Sequence, residues 1–251
     1  MFTLVIPMFN EASRKSQLFW RDLVHLENVN FIFVDDFSSD DTIFEISKLP
    51  NIDRILLLRN SSNLGKAESI RRGVLEAYKD KNSFIGYVDA DGSISISEIK
   101  RGLTVANQKF SNGEFNVIWF SRVKLKGRKI VRSKFRIVTS YQIRTFLHLF
   151  LKGLPMETQT GFKLFRKSGI SVIYWEKPFI TKWFIDIEIF TRIRFLKKIS
   201  IWEEPLEAWQ EKARGSLRAS SIFLVFLDLS KLFWSILVSW FPSLNWPRRR
   251  L

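Results

Sequence analysis

The chain has 251 residues, of which 46% are apolar, enough to fill the core of one large α/β domain or two small ones, so disorder is not expected over most of it. With no cysteine, disulfides and thiolate metal sites are excluded, and with only two histidines, far apart in the sequence, a zinc site is not expected, so any metal is expected on oxygen ligands. Forty Lys and Arg against 25 Asp and Glu leave a formal charge of +15, which calls for an anionic partner: nucleic acid, an acidic membrane face or a phosphate-bearing substrate.

Residues 2–8 form an apolar run with none of the charged start or long apolar core of a signal peptide. They read as a buried first strand, and the working part of the chain is expected on the cytoplasmic side. A helix is expected from near Glu11. Phe31-Ile32-Phe33-Val34 is a second strand, ending in Asp35-Asp36, and the Ser- and Asp-rich stretch up to Thr42 supplies caps for a helix starting near Asp40. Residues 52–58 make a third strand, and Asn63-Leu64-Gly65-Lys66 leads into a helix over 67–79. Residues 84–88 make the fourth strand. Strands alternating with helices at this spacing predict βαβ units in a mostly parallel sheet, whose ligands collect beyond the carboxyl ends of the strands. Asp35, Asp36, Asp89 and Asp91 all fall at such ends.

In an extended backbone the side chains at i and i+2 share a face, so Asp89 and Asp91 converge while Gly92 lets the chain turn. A convergent carboxylate pair suits Mg²⁺ or Mn²⁺, which completes its shell with water and phosphate oxygens and so often marks a nucleoside-diphosphate site. The alternative is a solvated acidic turn. Lys66, near a helix start, either meets a phosphate with the help of the helix N-terminus or is simply solvated.

Four blocks occur in order: Val5-Ile6-Pro7-Met8-Phe9-Asn10-Glu11, Val34 to Thr42, Asn63-Leu64-Gly65-Lys66 and Asp89-Ala90-Asp91-Gly92. Together they resemble the signature of family 2 glycosyltransferases with the GT-A fold. Gln159-Thr160-Gly161-Phe162-Lys163-Leu164-Phe165 and Trp183 to Glu188 are similar to the branch that makes dolichyl- or polyprenyl-phosphate glucose and mannose. The resemblance covers roughly residues 2–218 and departs from the pattern at Phe37, where the family usually has Gly, and at Thr160, where Cys or a small residue is common. Phe37 is expected to alter the turn after Asp36, because Phe adopts positive φ only at a cost.

The resemblance implies a slot for base and ribose lined by Pro7, Glu11 and Asp36, with Asp35 hydrogen-bonding the base or ribose. It also implies that Lys66, Asp89, Gln159 and Lys163 bind the donor, UDP-glucose or GDP-mannose, and that Asp89 and Asp91 hold the cation. Taken alone, Glu11 is equally an ordinary acidic residue of a first helical turn.

Residues 115–120 make a fifth strand. After it come Arg122, Lys124, Lys126, Arg128, Lys129, Arg132, Lys134 and Arg136 with no acidic residue among them, then an apolar helix over 135–151. This segment reads as a mobile loop gripping an acceptor phosphate or the leaving diphosphate, with Arg122 and Arg132 the leading candidates, or as a solvated charged face. Asp186 and Glu188 lie on a predicted helix over 183–196, about 200° apart, so at most one faces the site. Asp186 has several possible roles: general base for a hydroxyl acceptor, partner of a sugar hydroxyl or of a basic residue, or plain surface carboxylate. A last strand is expected over 201–205.

Residues 221–241 are strongly apolar but carry Asp228 and Lys231, which fall with Ser235 and Ser239 on one stripe of a helical wheel, opposite Phe223, Phe226, Leu229, Phe233 and Trp240. Burying that stripe in a bilayer is costly, so a helix lying in the interface or docked on the domain is expected rather than a spanning one, followed by Trp246 and the basic run Arg248-Arg249-Arg250. The expected organisation is thus a GT-A domain over 1–218 and an amphipathic membrane-associating segment over 219–251. The expected activity is inverting transfer of a hexose to a polyprenyl phosphate at the cytoplasmic face of a membrane, where the chain sits as a peripheral protein on an anionic surface. The rival within the class is transfer to a saccharide hydroxyl with Asp186 as base. Outside it stand a non-catalytic peripheral membrane protein, which leaves the acidic strand ends unexplained, and a nucleic-acid binder. For the latter the sequence offers no recognition helix or stacking motif, so nucleic acid is not the expected partner.

Overall fold

Every residue of Phe2–Met8 is buried, as expected for a strand covered on both faces, since a strand with one wet face alternates apolar and polar residues. This is β1 of a computed structural model that describes residues 1–14, 16–131, 145, 148, 151, 153–168, 172–194, 199–210, 228 and 230–234. β2 (Val29–Asp35) and β3 (Ile55–Arg59) run parallel to it on one side and β4 (Phe84–Val88) on the other. Beyond β4 come β7 (Phe162–Arg166), β5 (Val117–Ser121) and β8 (Ile201–Pro205), for a sheet ordered β3-β2-β1-β4-β7-β5-β8. β7 is antiparallel to both neighbours. The chain entering it at 157–161 therefore lies among the carboxyl ends of β4 and β5, where a fully parallel sheet would have placed a strand exit. Pro7 falls beyond the last β1–β4 pair, Val5 with Tyr87, where its missing N–H costs no ladder bond.

Alternation along β1 sends Leu4 and Ile6 to one face and Val5 to the other, and each face has its own core. The first packs residues from α1 (Gln17–Leu23), α2 (Thr42–Ser47) and α4 (Ile96–Ser111). The second packs residues from α3 (Lys66–Ala77), α5 (Ile173–Glu176) and α6 (Ile185–Arg194). α3 rides so close to the sheet that a Cβ at Gly73 would stand 2.3 Å from Val5 Cγ1. Helix α4 has no counterpart among the expected elements. Its signal in the sequence is Ser95 three residues before Glu98, and the Ser95 hydroxyl accepts from Glu98 N at 3.2 Å.

Two expectations are corrected, and the C-terminal stretch is partly placed. The third strand begins at Ile55 because Ile52–Arg54 is a 3₁₀ turn entered through Asn51 at φ 59°. β8 is not the last strand: Ala208–Gln210 (β9) pairs in parallel with Lys129–Val131 (β6), so the basic segment is not a free loop as far as residue 131. Near the C-terminus, Asp228 and 230–234 are helical, but Asp228 is buried and accepts from Lys182 N at 2.9 Å, and Leu232 joins the second core. Asp228 is thus turned into the domain, where it satisfies a backbone N–H. Arg132, Lys134, Arg136, most of the 135–151 helix, the boundary at 218 and the rest of the C-terminal segment lie outside the described residues. No helix among the described residues is long and apolar enough to cross a membrane.

Candidate active site

The ends of β1 and β2 are joined: Met8 pairs with Asp35, and Asp36 N donates to Met8 O at 2.8 Å. Asp35 is fully buried, accepts from Ser38 N at 3.2 Å and lies 3.4 Å from Arg59 Nε. Asp36 is buried and spoken for. Its Oδ1 accepts from Asn60 Nδ2 at 2.6 Å and Leu64 N at 2.8 Å, and its Oδ2 from Gly65 N at 2.8 Å. These bonds shape the loop that delivers α3 and engage both carboxylate oxygens of Asp36, the residue expected to line a base-and-ribose slot. Glu11 is buried beside Arg14 at 2.6 Å, with its own N–H donating to Thr42 Oγ1 at 2.9 Å.

Phe37 occupies the turn after Asp36 in the conformation that glycine adopts most readily. It adopts φ 65°, the left-handed region, with its ring half exposed and Arg59 over it at 5.5 Å. The turn is held from both sides, by Ser38 N on Asp35 and by Asn10, whose N–H donates to Ser38 Oγ at 2.9 Å and whose Oδ1 accepts from Ser39 N at 2.9 Å. Such cross-links keep a strained residue where its surroundings over-determine it.

At the end of β4, Asp89 N donates to Gly161 O at 2.9 Å, and a Cβ on residue 161 would stand 2.0 Å from Asp89 Oδ2. Only glycine leaves room for this carboxylate. Its other oxygen lies against the ammonium of Lys66, the first residue of α3. Asp91 is buried, with Oδ1 accepting from Ser93 N at 2.9 Å. Trp20, which nothing in the sequence connects to this turn, pins it by donating from Nε1 to Ala90 O at 2.9 Å.

Beneath Asp89 lies a buried charged cluster. Tyr87 shares its face of β4, and Lys163 pairs with Tyr87 across to β7. The fully buried Lys163 ammonium stands 2.7 Å from Asp186 Oδ1, donates to Thr160 O and lies over the Trp119 ring at 4.6 Å. Tyr87 donates to the same Asp186 oxygen. Burial pulls the Lys163 pKa down, with Asp186 opposing, and burial together with Asp186 pushes the Tyr87 pKa well up. Asp186 is therefore not a surface carboxylate; it is the counter-ion of Lys163. Glu188 points elsewhere, accepting from Ile180 N at 3.0 Å and Thr181 N at 3.2 Å and pairing with Arg192 at 2.8 Å.

At the end of β5 the Arg122 guanidinium pairs with Glu157, donates to Gln159 O at 2.9 Å and lies over Trp209 at 4.8 Å. Glu157 also accepts from the Thr160 hydroxyl at 3.1 Å, which gives a use to a residue that departs from the family pattern. Ser121 Oγ, Arg122 Nε and Gln159 Nε2 are buried and find no hydrogen-bond partner among the described residues. Buried polar atoms are normally paired, so these three stand out as unsatisfied. The structure thus gathers Asp89, Asp91, Lys66, Gln159, Lys163, Arg122 and Asp186 around the carboxyl ends of β4 and β5 and the start of β7, with Pro7, Glu11, Asp35 and Asp36 at the neighbouring strand ends. Glu157, Tyr87, Trp119, Trp20 and Trp209 join them without having been singled out in the sequence. Tyr87 alone had a signal, its i−2 relation to Asp89.

The profile of Glycosyl transferase family 2 matches residues 3–173. The dolichyl-phosphate beta-glucosyltransferase of Saccharomyces cerevisiae is 26% identical over 241 residues, covering 88% of this chain and 70% of that protein. The protein of the same name from Drosophila melanogaster is 26% identical over 202 residues, covering 74% of this chain and 60% of its own length. Among solved structures, glucosyl-3-phosphoglycerate synthase from Mycobacterium tuberculosis, in complex with Mn²⁺, UDP and glucosyl-3-phosphoglycerate, superposes with a TM-score of 0.63 at 13% identity, over 93% of this chain and 78% of that one. The same enzyme with Mn²⁺, UDP and phosphoglyceric acid gives 0.64, also at 13% identity, over 94% and 78%. The seven-stranded sheet flanked by helices is a GT-A-like fold, and the chain belongs to glycosyl transferase family 2.

Proposed function

We propose that the chain transfers glucose from UDP-glucose to a polyprenyl phosphate at a membrane face. The observation that carries this reading is the end of β4, where Asp89 meets Lys66 at the N-terminus of α3 with Gly161 emptied of a side chain to seat it, and the buried Asp91 follows two residues on. The sugar and the acceptor are those in the names of the yeast and fly relatives, and UDP is the nucleotide in the complexes of the structural neighbours. GDP-mannose is the runner-up donor.

The donor set fits Mg²⁺ or Mn²⁺. Both carboxylates are hard oxygen ligands, and no cluster of three acidic or histidine side chains exists among the described residues, which suits a cation that takes its remaining ligands from water and phosphate. When bound, such a cation neutralises a departing diphosphate. On the chain's side, Asp35, at the end of β2, takes the role of acceptor for an N–H of the base or a ribose hydroxyl. Lys66, the first residue of α3, brings its ammonium to the diphosphate. Ser121, Arg122 Nε and Gln159 offer polar partners to sugar hydroxyls. An oxygen of the acceptor phosphate attacks the anomeric carbon as its bond to the β-phosphate oxygen breaks, the configuration inverts and UDP leaves. That phosphate is already deprotonated, so no base is needed. The engagement of Asp186 by Lys163 and Tyr87 agrees with this, and disfavours a saccharide hydroxyl acceptor with Asp186 as base.

The test is incubation of the full chain and Mn²⁺ with labelled UDP-glucose or GDP-mannose and a short-chain polyprenyl phosphate. Label from UDP-glucose should enter the organic phase. Label found only on an added oligosaccharide would overturn the acceptor, and label only from GDP-mannose the donor.

A further inference from the structure

Single exposed apolar side chains are ordinary on a soluble surface, whereas several large ones held together need a reason. Ile180 and Trp183, each 52% exposed, lie in the segment before α6, and Trp234, 59% exposed, lies in the C-terminal helical stretch. The two segments are tied together where Lys182 N donates to Asp228 Oδ2 at 2.9 Å. Asp228 and Leu232 face the domain, and Trp234, two residues past Leu232 and so about 200° round the helix, faces away from it. The segment 180–182 is itself held firmly, by Glu188 on the N–H groups of Ile180 and Thr181.

The exposed charges around these side chains are mostly positive. Lys177, Lys182 and Lys231 are exposed, while Asp228, Asp186 and Glu188 are buried and engaged. Glu176 is the one exposed carboxylate in 172–183. Indole rings bracketed by lysines suit the headgroup level of a bilayer, where the ring enters the apolar boundary and the ammonium meets lipid phosphate.

The location supports the same occupant. Lys182 O accepts from Ala67 N at 3.2 Å, and the Lys182 side chain lies 3.0 Å from the space a Cβ of Gly65 would fill. This surface therefore adjoins the α3 N-terminus and Lys66. We propose that Ile180, Trp183 and Trp234, flanked by Lys177, Lys182 and Lys231, form the surface by which the chain seats on an anionic bilayer, bringing a lipid-borne phosphate level with Lys66 and Asp89. The choice of a bilayer over a protein partner rests on the lipid acceptor proposed above.

Flotation of the full chain with phosphatidylcholine vesicles, with and without phosphatidylglycerol, tests it. The wild type should float with the anionic vesicles, and Trp183→Ser with Trp234→Ser should lower the bound fraction at least about tenfold. Thermal midpoint, UDP binding and transfer to a short-chain acceptor in detergent should stay unchanged. Should the double variant fold poorly, Lys177→Gln with Lys231→Gln gives a second reading: reduced binding to anionic vesicles supports the proposal, and wild-type binding overturns it. Wild-type flotation of a folded Trp variant also overturns it, including the case in which KM for a long-chain acceptor rises, since the patch then holds the lipid tail instead. Flotation does not require transfer. A chain that floats through this patch yet transfers nothing to polyprenyl phosphate would sink the acceptor reading and leave this surface standing.

Discussion

Lys66 and Asp89 form an ion pair across the mouth of the site, with the ammonium of the first α3 residue against the carboxylate that ends β4. The pair joins two strand-to-helix connections that are separate in sequence, and its carboxylate is held from behind by the bare backbone of Gly161. Gly161→Ala should displace Asp89, because an added Cβ would overlap Oδ2 at 2.0 Å. The expected loss of turnover is about 100-fold or more, roughly 2.7 kcal/mol in the transition state, with UDP binding in the absence of metal much less affected. Steady-state kinetics beside nucleotide titration separates the two; normal turnover in Gly161→Ala would remove Asp89 from the site.

The Lys163 and Asp186 pair makes a prediction about stability. Asp186→Asn leaves a buried ammonium without its counter-ion and should cost about 3–5 kcal/mol, measured by urea unfolding. Lys163→Met combined with Asp186→Asn should be less destabilised than Asp186→Asn alone, because the uncompensated charge is gone. At temperatures where Asp186→Asn remains folded it should retain measurable transfer. A dead but fully folded Asp186→Asn chain would favour the general-base reading instead.

Arg122 was expected to grip phosphate, but the structure gives most of its guanidinium to Glu157 and Gln159 O, so its first effect is on the position of the loop entering β7. Arg122→Gln should lower turnover about tenfold or more, and Glu157→Gln should do nearly the same while leaving Arg122 in place. If Glu157→Gln is normal and Arg122→Gln is not, Arg122 acts on the substrate directly.

Phe37 carries backbone strain at φ 65°. A non-glycine residue in the left-handed region costs about 1–2 kcal/mol, offset in part by the chain entropy of a glycine. Phe37→Gly should therefore leave the thermal midpoint unchanged or raise it, and Phe37→Val should lower it. A large fall for Phe37→Gly would mean that the ring and its Arg59 contact outweigh the strain.

The buried strands were legible because a strand covered on both faces writes a continuous apolar run, and the clustering of Asp35, Asp36, Asp89 and Asp91 followed from where those runs stop. The divergence of Asp186 and Glu188 followed from helical geometry alone. Strand direction leaves no mark on an apolar run, so the reversal of β7, and with it the entry of 157–161 into the site, was not legible. Nor was the engagement of Asp36, because the N–H groups that fill it come from a loop more than twenty residues away. The pairing of Arg122 with Glu157 and of Trp20 with Ala90 depends on tertiary closure that no local pattern records. The wheel over 221–241 separated polar from apolar faces but could not say which one the domain would take; Asp228 turned inward because Lys182 N needed an acceptor.

The central claim is that the carboxylates at the end of β4 bind a nucleoside diphosphate together with a divalent cation. Isothermal titration of UDP into the chain with and without Mn²⁺, for the wild type and Asp91→Asn, tests it most directly. Mn²⁺ should strengthen UDP binding to the wild type at least about tenfold, or 1.4 kcal/mol, and should have little effect on Asp91→Asn, whose thermal midpoint stays near that of the wild type. An equal gain from Mn²⁺ in both chains, or none in the wild type, would contradict the account.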